Sequence, residues 1–335
     1  MAEWGGVLIG NGASIAVWDD FAYDSLFERA RDPALKVTLS PDDLALFDKF
    51  NTKNFEQVLG ALKFARSVLE VLGYSTEFIV ARYQSIQTAL FAAVHSVHVP
   101  WGTGSGFEEK LEAIRDYARS NHWVYSINYD LLLYWAMTAK NKGSGFADFF
   151  WQPDLSFDPG NVEPLPFATD WTRVVWLHGG IHLRRHFDGT NYKERVSPES
   201  AENLLDRFST TTTSPTTPLL VSEGTAEDKY RAIQRSSYLD FGLRSLAAHN
   251  GGLVVFGSSL RAEDAHLVAA INEQPIAELA FSLRAGEAAD VVQRKAELRN
   301  RFPRSNLFFF RADTHPLGAS GLKVRRPNIF RRMIP

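Results

Sequence analysis

The chain has 335 residues, of which 45% are hydrophobic and 22% are charged, and its formal net charge is −3. This composition predicts a globular protein with a substantial core, and the charge gives no general attraction to nucleic acid or to anionic membranes. Cysteine is absent, which excludes disulfides, thiolate metal sites and a cysteine nucleophile. Because we find neither a leader-like segment nor an apolar stretch of bilayer length, we expect a cytoplasmic protein with no membrane partner.

The first third of the chain is predicted to contain one strand followed by helices. Residues 7–9 are a short apolar strand, and residues 20–31 have helical spacing. Further helices are predicted over 55–68, 78–97 and 107–118, where apolar residues recur at three- and four-residue intervals. The predicted organisation is a Rossmann-like domain (1–35 and 120–320), an inserted helical module (36–119) and a basic carboxy-terminal tail (321–335).

The rest of the chain alternates short apolar strands with helices. Strands are predicted at 124–127, 174–177, 219–221, 253–256, 279–283 and 307–310, and helices at 226–235, 238–249, 263–272 and 287–300. Residues 209–217 are predicted to be a mobile surface connection. Short, nearly uninterrupted apolar strands between helices indicate an α/β fold with a parallel sheet covered by helices on both faces. Ligands of such folds bind at the carboxyl ends of the strands.

The first strand ends in the small residues Gly10-Asn11-Gly12-Ala13-Ser14. Glycines let a backbone approach a phosphate closely, and a helix that follows supplies free N–H groups. The dehydrogenase fingerprint G-x-G-x-x-G requires a third glycine where this chain has Ile15, so that type of site is not favoured. A plain strand-to-helix turn is the alternative interpretation.

Polar residues also follow the next two predicted strands. Asn128 and Asp130 are suited to bind ribose hydroxyls or to orient a water, or else to cap the following helix. His178, followed by two glycines, is placed as a general base facing a cleft, or else as a core histidine. His182 and His186 follow at the same interval, but residues four apart on a strand are about 13 Å apart, so no metal is expected.

Two later segments have weaker signals. Gly257-Ser258-Ser259 is a small, hydroxyl-rich turn suited to phosphate or ribose, or simply a polar turn. Residues 323–332 are locally basic, which predicts a solvated surface or, as an alternative, a nucleic-acid contact.

In chain order these motifs resemble those of the sirtuin family, in particular its bacterial NAD-consuming branch without the zinc ribbon. The sirtuin G-A-G-x-S resembles residues 10–14, N-x-D resembles Asn128-Tyr129-Asp130, His-Gly resembles His178-Gly179, and G-[ST]-S resembles Gly257-Ser258-Ser259. The resemblance implies a Rossmann-like fold with an inserted helical module, and NAD as the ligand.

The resemblance also implies roles for these residues. His178 would be catalytic, and Asn128 would bind ribose and position the attacking water. NAD binding would fall to Gly10, Gly12, Ala13, Ser14, Asp130, Gly257, Ser258 and Ser259. Sirtuin deacylases carry a four-cysteine zinc ribbon that this chain lacks, so the resemblance favours an NAD glycohydrolase with no metal.

Partners are likewise expected from the resemblance. It implies an anti-phage defence effector that forms a homo-oligomer and is controlled by a partner such as a ring-shaped DNA-translocating ATPase. The chemistry is consistent with the residues themselves, because cleavage at ribose builds positive charge on the sugar while nicotinamide is already a cationic leaving group. A non-catalytic module that binds NAD or ADP-ribose, or a subunit of a defence complex, is the alternative.

Overall fold

The molecule is organised around a parallel β-sheet, as the alternation of strands and helices predicts. The computed structural model describes residues 4–22, 25–99, 106–139, 145–160, 170–186, 188–195, 204, 216–221, 225–284 and 286–324. Within these residues the main sheet has seven strands, all parallel: β1 (Trp4–Ile9), β2 (Trp123–Ser126), β3 (Phe146–Ala147), β4 (Thr172–Trp176), β8 (Gly252–Phe256), β9 (Glu278–Leu283) and β10 (Asn306–Arg311). The predicted α/β, Rossmann-like fold class is confirmed.

The spatial order of the strands identifies where a ligand is expected to bind. The order is β10-β9-β8-β1-β2-β4-β3. The two-residue edge strand β3 is left out and the other six strands are renumbered in chain order. Read from β4 to β10, their order is then 3-2-1-4-5-6, which is that of dinucleotide-binding folds. In these folds the chain reverses direction across the sheet between the first and the fourth strand. Here the reversal lies between β1 and β8, so the carboxyl ends of these two strands border the expected crevice.

Helices connect the strands and carry much of the core. They are α1 (Asn11–Val17), α2 (Leu26–Arg29), α3 (Pro41–Lys49), α4 (Phe55–Val71), α5 (Glu77–Val97), α6 (Phe107–Arg119), α7 (Leu132–Thr138), α8 (Ala226–Gln234), α9 (Ser237–Ala247), α10 (Ala265–Glu273) and α11 (Ala288–Arg301). The stretch from α3 to α6 lies between β1 and β2 and contains no strand among its described residues, although the predicted domain boundaries themselves stay a prediction. The structure shows no described helix that is long and apolar enough to cross a bilayer.

The prediction of a helix over 20–31 is wrong in its position. The helix after β1 begins at once, at Asn11, and the described residues of 20–31 form a 3₁₀ turn (Asp19–Phe21) and the four-residue α2. The Ser25 hydroxyl accepts a hydrogen bond from the Glu28 amide. This cap places the start of α2 at Leu26, later than the predicted helix begins. This local cap interrupts a segment whose apolar spacing alone suggested one longer helix.

The apolar run 219–221 coincides with a strand, as predicted, but the prediction that this strand belongs to the parallel sheet is wrong. Residues Thr216–Leu220 form β7, which pairs antiparallel with β5 (Gly179–His186) in a separate three-stranded sheet of order β6-β5-β7, where β6 is Asn191–Lys193. Gly179 has φ +76, and an added Cβ there would lie 1.9 Å from the Leu219 carbonyl oxygen. The left-handed conformation of this glycine turns the chain out of the main sheet after β4. Strand β7 lies in the smaller sheet because it pairs with β5.

Two predictions fall largely outside the described residues. Most of the connection 209–217 lies outside the described residues, except Thr216 and Thr217, which belong to β7. The basic tail lies outside the described residues from 325 onward.

Candidate functional site

The two small-residue turns after β1 and β8 touch each other at the reversal point of the sheet. A Cβ added to Gly10 would lie 2.6 Å from the Ser258 Cβ, and one added to Gly12 would lie 2.6 Å from the Gly257 Cα. Gly257 itself has φ +71, where side chains are strained. The glycines at these positions are therefore required by the contact between the turns.

The backbone amides of the first turn already have partners. Gly10 N donates to Phe256 O (2.8 Å), Gly12 N to Gly257 O (2.8 Å) and Ala13 N to Gly10 O (2.9 Å). These three N–H groups are therefore not open to a phosphate in this structure. A role of this turn in NAD binding stays a prediction, and it would depend on the side chains around the turn.

The second turn is held in a similar way. The Ser258 hydroxyl accepts a hydrogen bond from the Leu260 amide (3.1 Å), and the Ser259 carbonyl accepts one from Arg301 (3.3 Å) and another from Arg294. Both serines lie at the predicted edge of the sheet, and their proposed contact with the ligand stays a prediction.

A buried hydrogen-bond network joins the β1 turn to the end of β2. The Asn128 amide nitrogen donates to the Gly10 carbonyl (3.1 Å) and to the Ser14 hydroxyl (2.9 Å), and the Ser14 hydroxyl donates to Asp130 Oδ2 (2.5 Å). Asn128, Ser14 and Asp130 are all buried. Three of the predicted site residues are thus in direct contact, although they are up to 116 positions apart in the chain.

This network fixes the orientation of the Asn128 side chain. Because the Ser14 proton is directed to the carboxylate, the Ser14 oxygen can only accept from Asn128, which places the amide nitrogen on that side. The Asn128 Oδ1 atom then points away from the network, and it is buried with no hydrogen-bond partner among the described residues. A buried acceptor without a partner is costly unless water or a ligand completes it.

A cavity lies beside this side chain. Its volume is about 20 Å³, which is room for about one water molecule. It is lined by Ile9, Ala13, Ser14, Val17, Ile114, Ser126, Asn128, Asp130, Leu132, Leu133, Leu317 and Leu322. The walls are mostly apolar, and the polar groups are those of the network and Ser126.

Asp130 also contacts the start of the following helix, although the N-cap position itself is Leu131 and not Asp130. Its Oδ1 atom accepts a hydrogen bond from the Leu132 amide (2.9 Å) at the start of α7. Burial raises the pKa of Asp130, while the hydrogen bonds from Ser14 and Leu132 oppose this rise. The carboxyl group therefore both binds the first amide of α7 and orients Ser14.

His178 lies at the same edge of the sheet, but its contact is with a residue that the sequence reasoning missed. Its Nε2 atom lies 2.9 Å from the Nε2 atom of His266 in the first turn of α10, and both rings are buried. At this distance one ring donates and the other accepts. The signal that could have found His266 was its place in the first helix after the Gly257-Ser258-Ser259 turn.

Both imidazoles are held neutral. Burial lowers the pKa of His178 well below its usual value, and the nearby Lys229 ammonium and His266 add to this effect. Burial likewise lowers the pKa of His266 to about 4. Lys229 is itself bound to Asp264 (3.0 Å), and the His266 Nδ1 atom has no partner among the described residues.

The sheet register relates His178 to Asn128. Ser126 of β2 pairs with Trp176 of β4, so Asn128 and His178 each stand two residues beyond paired positions of adjacent strands. No hydrogen bond within the described part of the chain links the two side chains, and His178 does not line the cavity. The structure therefore brings Asn128 together with the β1 turn, and it places His178 with His266 instead.

The other histidines of this motif have separate surroundings. His182 and His186 lie on the strand β5, as the spacing argument assumed. His182 is buried between Tyr134 and Trp176, and His186 contacts Asp188. The described residues contain no group of three or more histidine, aspartate or glutamate side chains that could hold a metal ion.

The sequence matches one family model. The model is that of a domain of unknown function, DUF4917, and it covers residues 7–316. No curated protein matches the sequence. The expectation that the chain is a sirtuin is therefore wrong, because the family model that spans it is a different one and no sirtuin family is found. The defence role and the ATPase partner followed from that resemblance alone and lose their support with it. The chain belongs to the DUF4917 family.

Proposed function

We propose that this protein hydrolyses the bond between nicotinamide and ribose in NAD, releasing nicotinamide and ADP-ribose. The observation that carries the proposal is the buried Asn128 Oδ1 atom, which has no hydrogen-bond partner among the described residues, on a side chain that lines a water-sized cavity. This atom lies at the carboxyl edge of a sheet whose strand order is that of dinucleotide-binding folds. A fixed hydrogen-bond acceptor suits either a ribose hydroxyl or an attacking water.

The reaction requires little acid catalysis. The electron pair of the glycosidic bond leaves with nicotinamide and neutralises its ring nitrogen, while positive charge develops on the ribose. Water forms the new bond to the same ribose carbon and gives up a proton. The protein must therefore orient the ribose, admit one water and accept that proton, and orientation alone can supply several powers of ten in rate.

Different side chains would orient the reactants and accept the proton. Asn128, held by Ser14, Gly10 and Asp130, would orient the water or the ribose. His178 is the candidate base, because it lies at the same edge of the sheet and its ring is neutral at physiological pH. Its lowered pKa makes it a weak base, so it would take the proton only as the water bonds to the positively charged ribose and becomes acidic. The Nε2 contact with His266 would set its tautomer.

The test is an assay of the full chain with NAD. Nicotinamide and ADP-ribose are quantified by chromatography over time, for the wild type and for Asn128→Ala and His178→Ala. We expect each variant to lose at least 10²-fold in turnover, the range for a lost positioning or acid–base group. His122→Ala, at an exposed histidine next to β2, is the matched control and is expected to keep full activity.

The outcomes separate the proposal from its alternative. Full activity in either variant would remove the assigned residue from the mechanism. Calorimetric binding of NAD or ADP-ribose without cleavage would instead support a binding module. A wild type that neither binds nor cleaves NAD would refute both.

A further inference from the structure

A buried histidine at the end of α5 contacts the segment that carries Asn128 and Asp130. His98 is the C-cap residue of α5, and only 3% of it is exposed. Its Nε2 atom lies 3.0 Å from the backbone nitrogen of Leu131, which is 33 positions further along the chain. This contact joins the helical stretch between β1 and β2 directly to the residues that follow β2.

The two hydrogen bonds of the His98 ring require the same tautomer. The Val99 carbonyl oxygen, 2.8 Å from Nδ1, can only accept, so the proton of the neutral ring lies on Nδ1. The Leu131 amide can only donate, so Nε2 must be the nitrogen without a proton. Burial keeps the ring neutral, because it lowers the pKa of His98 to about 4. The ring is therefore a fixed acceptor for one particular amide.

Two neighbouring rings hold this imidazole in place. Phe21 and Trp135 pack edge-on against it, with ring centroids 5.2 Å and 4.9 Å away. Trp135 belongs to α7, the same helix whose start His98 contacts. Because edge-on contacts depend on the orientation of the rings, the imidazole cannot rotate without losing them. The position of Nε2 is therefore set by packing as well as by hydrogen bonds.

Side chains of other residues satisfy the amides at the start of α7. Leu131 occupies the N-cap position, and its apolar side chain accepts no hydrogen bond. The Leu131 amide instead donates to His98, and the Leu132 amide donates to Asp130 Oδ1 (2.9 Å). A buried amide at a helix start is costly when it has no acceptor. His98 and Asp130 thus fix the first turn of α7 together.

A short series of contacts leads from this helix start to Asn128. Asp130 directly precedes Leu131, and its carboxylate accepts from Leu132 on one oxygen and from Ser14 on the other. The Ser14 hydroxyl in turn accepts from the Asn128 amide nitrogen (2.9 Å). A shift of Leu131 would therefore tilt the Asp130 carboxylate and loosen the orientation of the Asn128 side chain.

We propose that His98 is a positioning residue, which holds residues 128–132 through the Leu131 amide and thereby fixes the Asn128 side chain for the reaction. His98 does not line the cavity beside Asn128, so it acts through the segment and not on the substrate. The kinetic consequence rests on the proposed hydrolysis of NAD, whereas the anchoring of the segment does not.

The first test observes the tautomer of His98 in the wild type at neutral pH. A long-range proton–nitrogen correlation spectrum of the full chain distinguishes protonated from unprotonated ring nitrogens, and the spectrum of His98→Gln identifies the signals that belong to His98. We expect the tautomer with its proton on Nδ1. A proton on Nε2 would leave the Leu131 amide without its acceptor and would overturn the proposal.

The second test compares two substitutions by amide hydrogen exchange of the full chain. His98→Phe keeps an aromatic ring but has no acceptor, whereas His98→Gln keeps an acceptor near the position of Nε2. We expect residues 128–132 to exchange at least about tenfold faster in His98→Phe and at nearly the wild-type rate in His98→Gln. His95→Phe, at an exposed histidine one turn earlier on α5, is the matched control and is expected to change nothing. Equal exchange in His98→Phe and the wild type would show that His98 does not hold the segment.

The third test measures kcat and KM for nicotinamide release from NAD. We expect kcat of His98→Phe to fall roughly 10- to 100-fold with little change in KM, because a misplaced Asn128 weakens the transition state. His98→Gln is expected to restore most of kcat. A fall in kcat that His98→Gln does not restore would show that packing, and not the acceptor, is what matters.

The outcomes keep this inference apart from the proposed function. If the wild type cleaves NAD and His98→Phe keeps its kcat, the positioning role is wrong and the proposed function stands. If the wild type does not cleave NAD, the proposed function fails, and the tautomer and the exchange rates decide whether His98 holds the segment.

Discussion

The amide network and the histidine pair lie at the same edge of the sheet, but they are held by different forces. Asn128, Ser14 and Asp130 are fixed by directional hydrogen bonds that use both Asn128 amide protons, and Asn128 Oδ1 has no partner within the described part of the chain. His178 and His266 are joined through their Nε2 atoms, and burial sets their protonation state. The amide network determines the orientation of the Asn128 side chain. The histidine pair determines which imidazole nitrogen holds a proton.

A fall in pH changes the stability contributions of the two regions in opposite directions. A pKa raised by folding means that the folded chain binds the proton more tightly, so the contribution of Asp130 to stability is fully present below pH 3.8 and is lost as the pH rises through its folded pKa. The lowered pKa of His266 has the reverse effect. Its contribution is present above pH 6.5 and is lost as the pH falls toward about 4.

The largest effect is expected from Asp130→Asn, which tests whether orientation is the function of the amide network. An amide can still accept from Leu132, but it donates to Ser14 instead of accepting. Ser14 would then direct its proton toward Asn128, whose side chain would turn and present a donor to the cavity. We expect nicotinamide release to fall about 10³-fold, whereas unfolding by urea shows a loss of about 1–2 kcal/mol.

A similar aspartate in a different place serves as the control for this prediction. Asp154 accepts a hydrogen bond from the Ser156 amide two residues on, as Asp130 does from Leu132, but Asp154 is exposed. Asp154→Asn is expected to leave turnover unchanged. If Asp130→Asn also kept its activity, the carboxylate would not be orienting Asn128.

A smaller effect is expected from Gly12→Ala, which tests the tight contact between the two turns that position the amide network. The added Cβ would lie 2.6 Å from the Gly257 Cα, and the backbone at this contact must shift. This displaces Gly10 and Ser14, which hold Asn128, without touching His178 or His266. We expect a loss of about 2–3 kcal/mol in the free energy of unfolding, measured in urea.

The control for Gly12→Ala is Gly286→Ala, where a Cβ meets no atom within 4 Å. It is expected to change the free energy of unfolding by less than about 1 kcal/mol. Equal effects of the two substitutions would show that the turns are not in tight contact.

The sequence predicts the central sheet well because its strands are continuous apolar runs. The strands β1, β2, β4, β8, β9 and β10 are confirmed where the runs were found. The strand β7 has the same local pattern but belongs to another sheet, because a left-handed glycine at position 179 turns the chain away. Strand identity is local information, whereas the choice of a pairing partner is not.

The site was predictable only in part for a related reason. Asn128, Asp130 and Ser14 follow strands, so the sheet topology alone brings them to one edge. His266 has no distinctive neighbours in sequence, and its contact with His178 depends on how α10 packs. The sirtuin resemblance misled because glycines that turn a chain, and Asn or Asp residues that end a strand, are common to many folds of this class.

The smallest of these effects is expected from His266→Gln, which tests whether the histidine pair accounts for part of the acid sensitivity. The charges that face His266 are those of Lys229 and Asp264, and its ring contact is His178. Because the folded pKa of His266 is about 4, its contribution to the free energy of unfolding of the wild type falls by roughly 2 kcal/mol between pH 6.5 and pH 5. Glutamine does not titrate, so the variant has no such loss. We therefore expect the free energy of unfolding, measured in urea at one protein concentration, to fall less steeply in the variant between pH 7 and pH 5. His122→Gln at the exposed histidine is expected to keep the wild-type slope, and a His266→Gln slope equal to it would show that burial of the pair does not lower the acid stability of the fold.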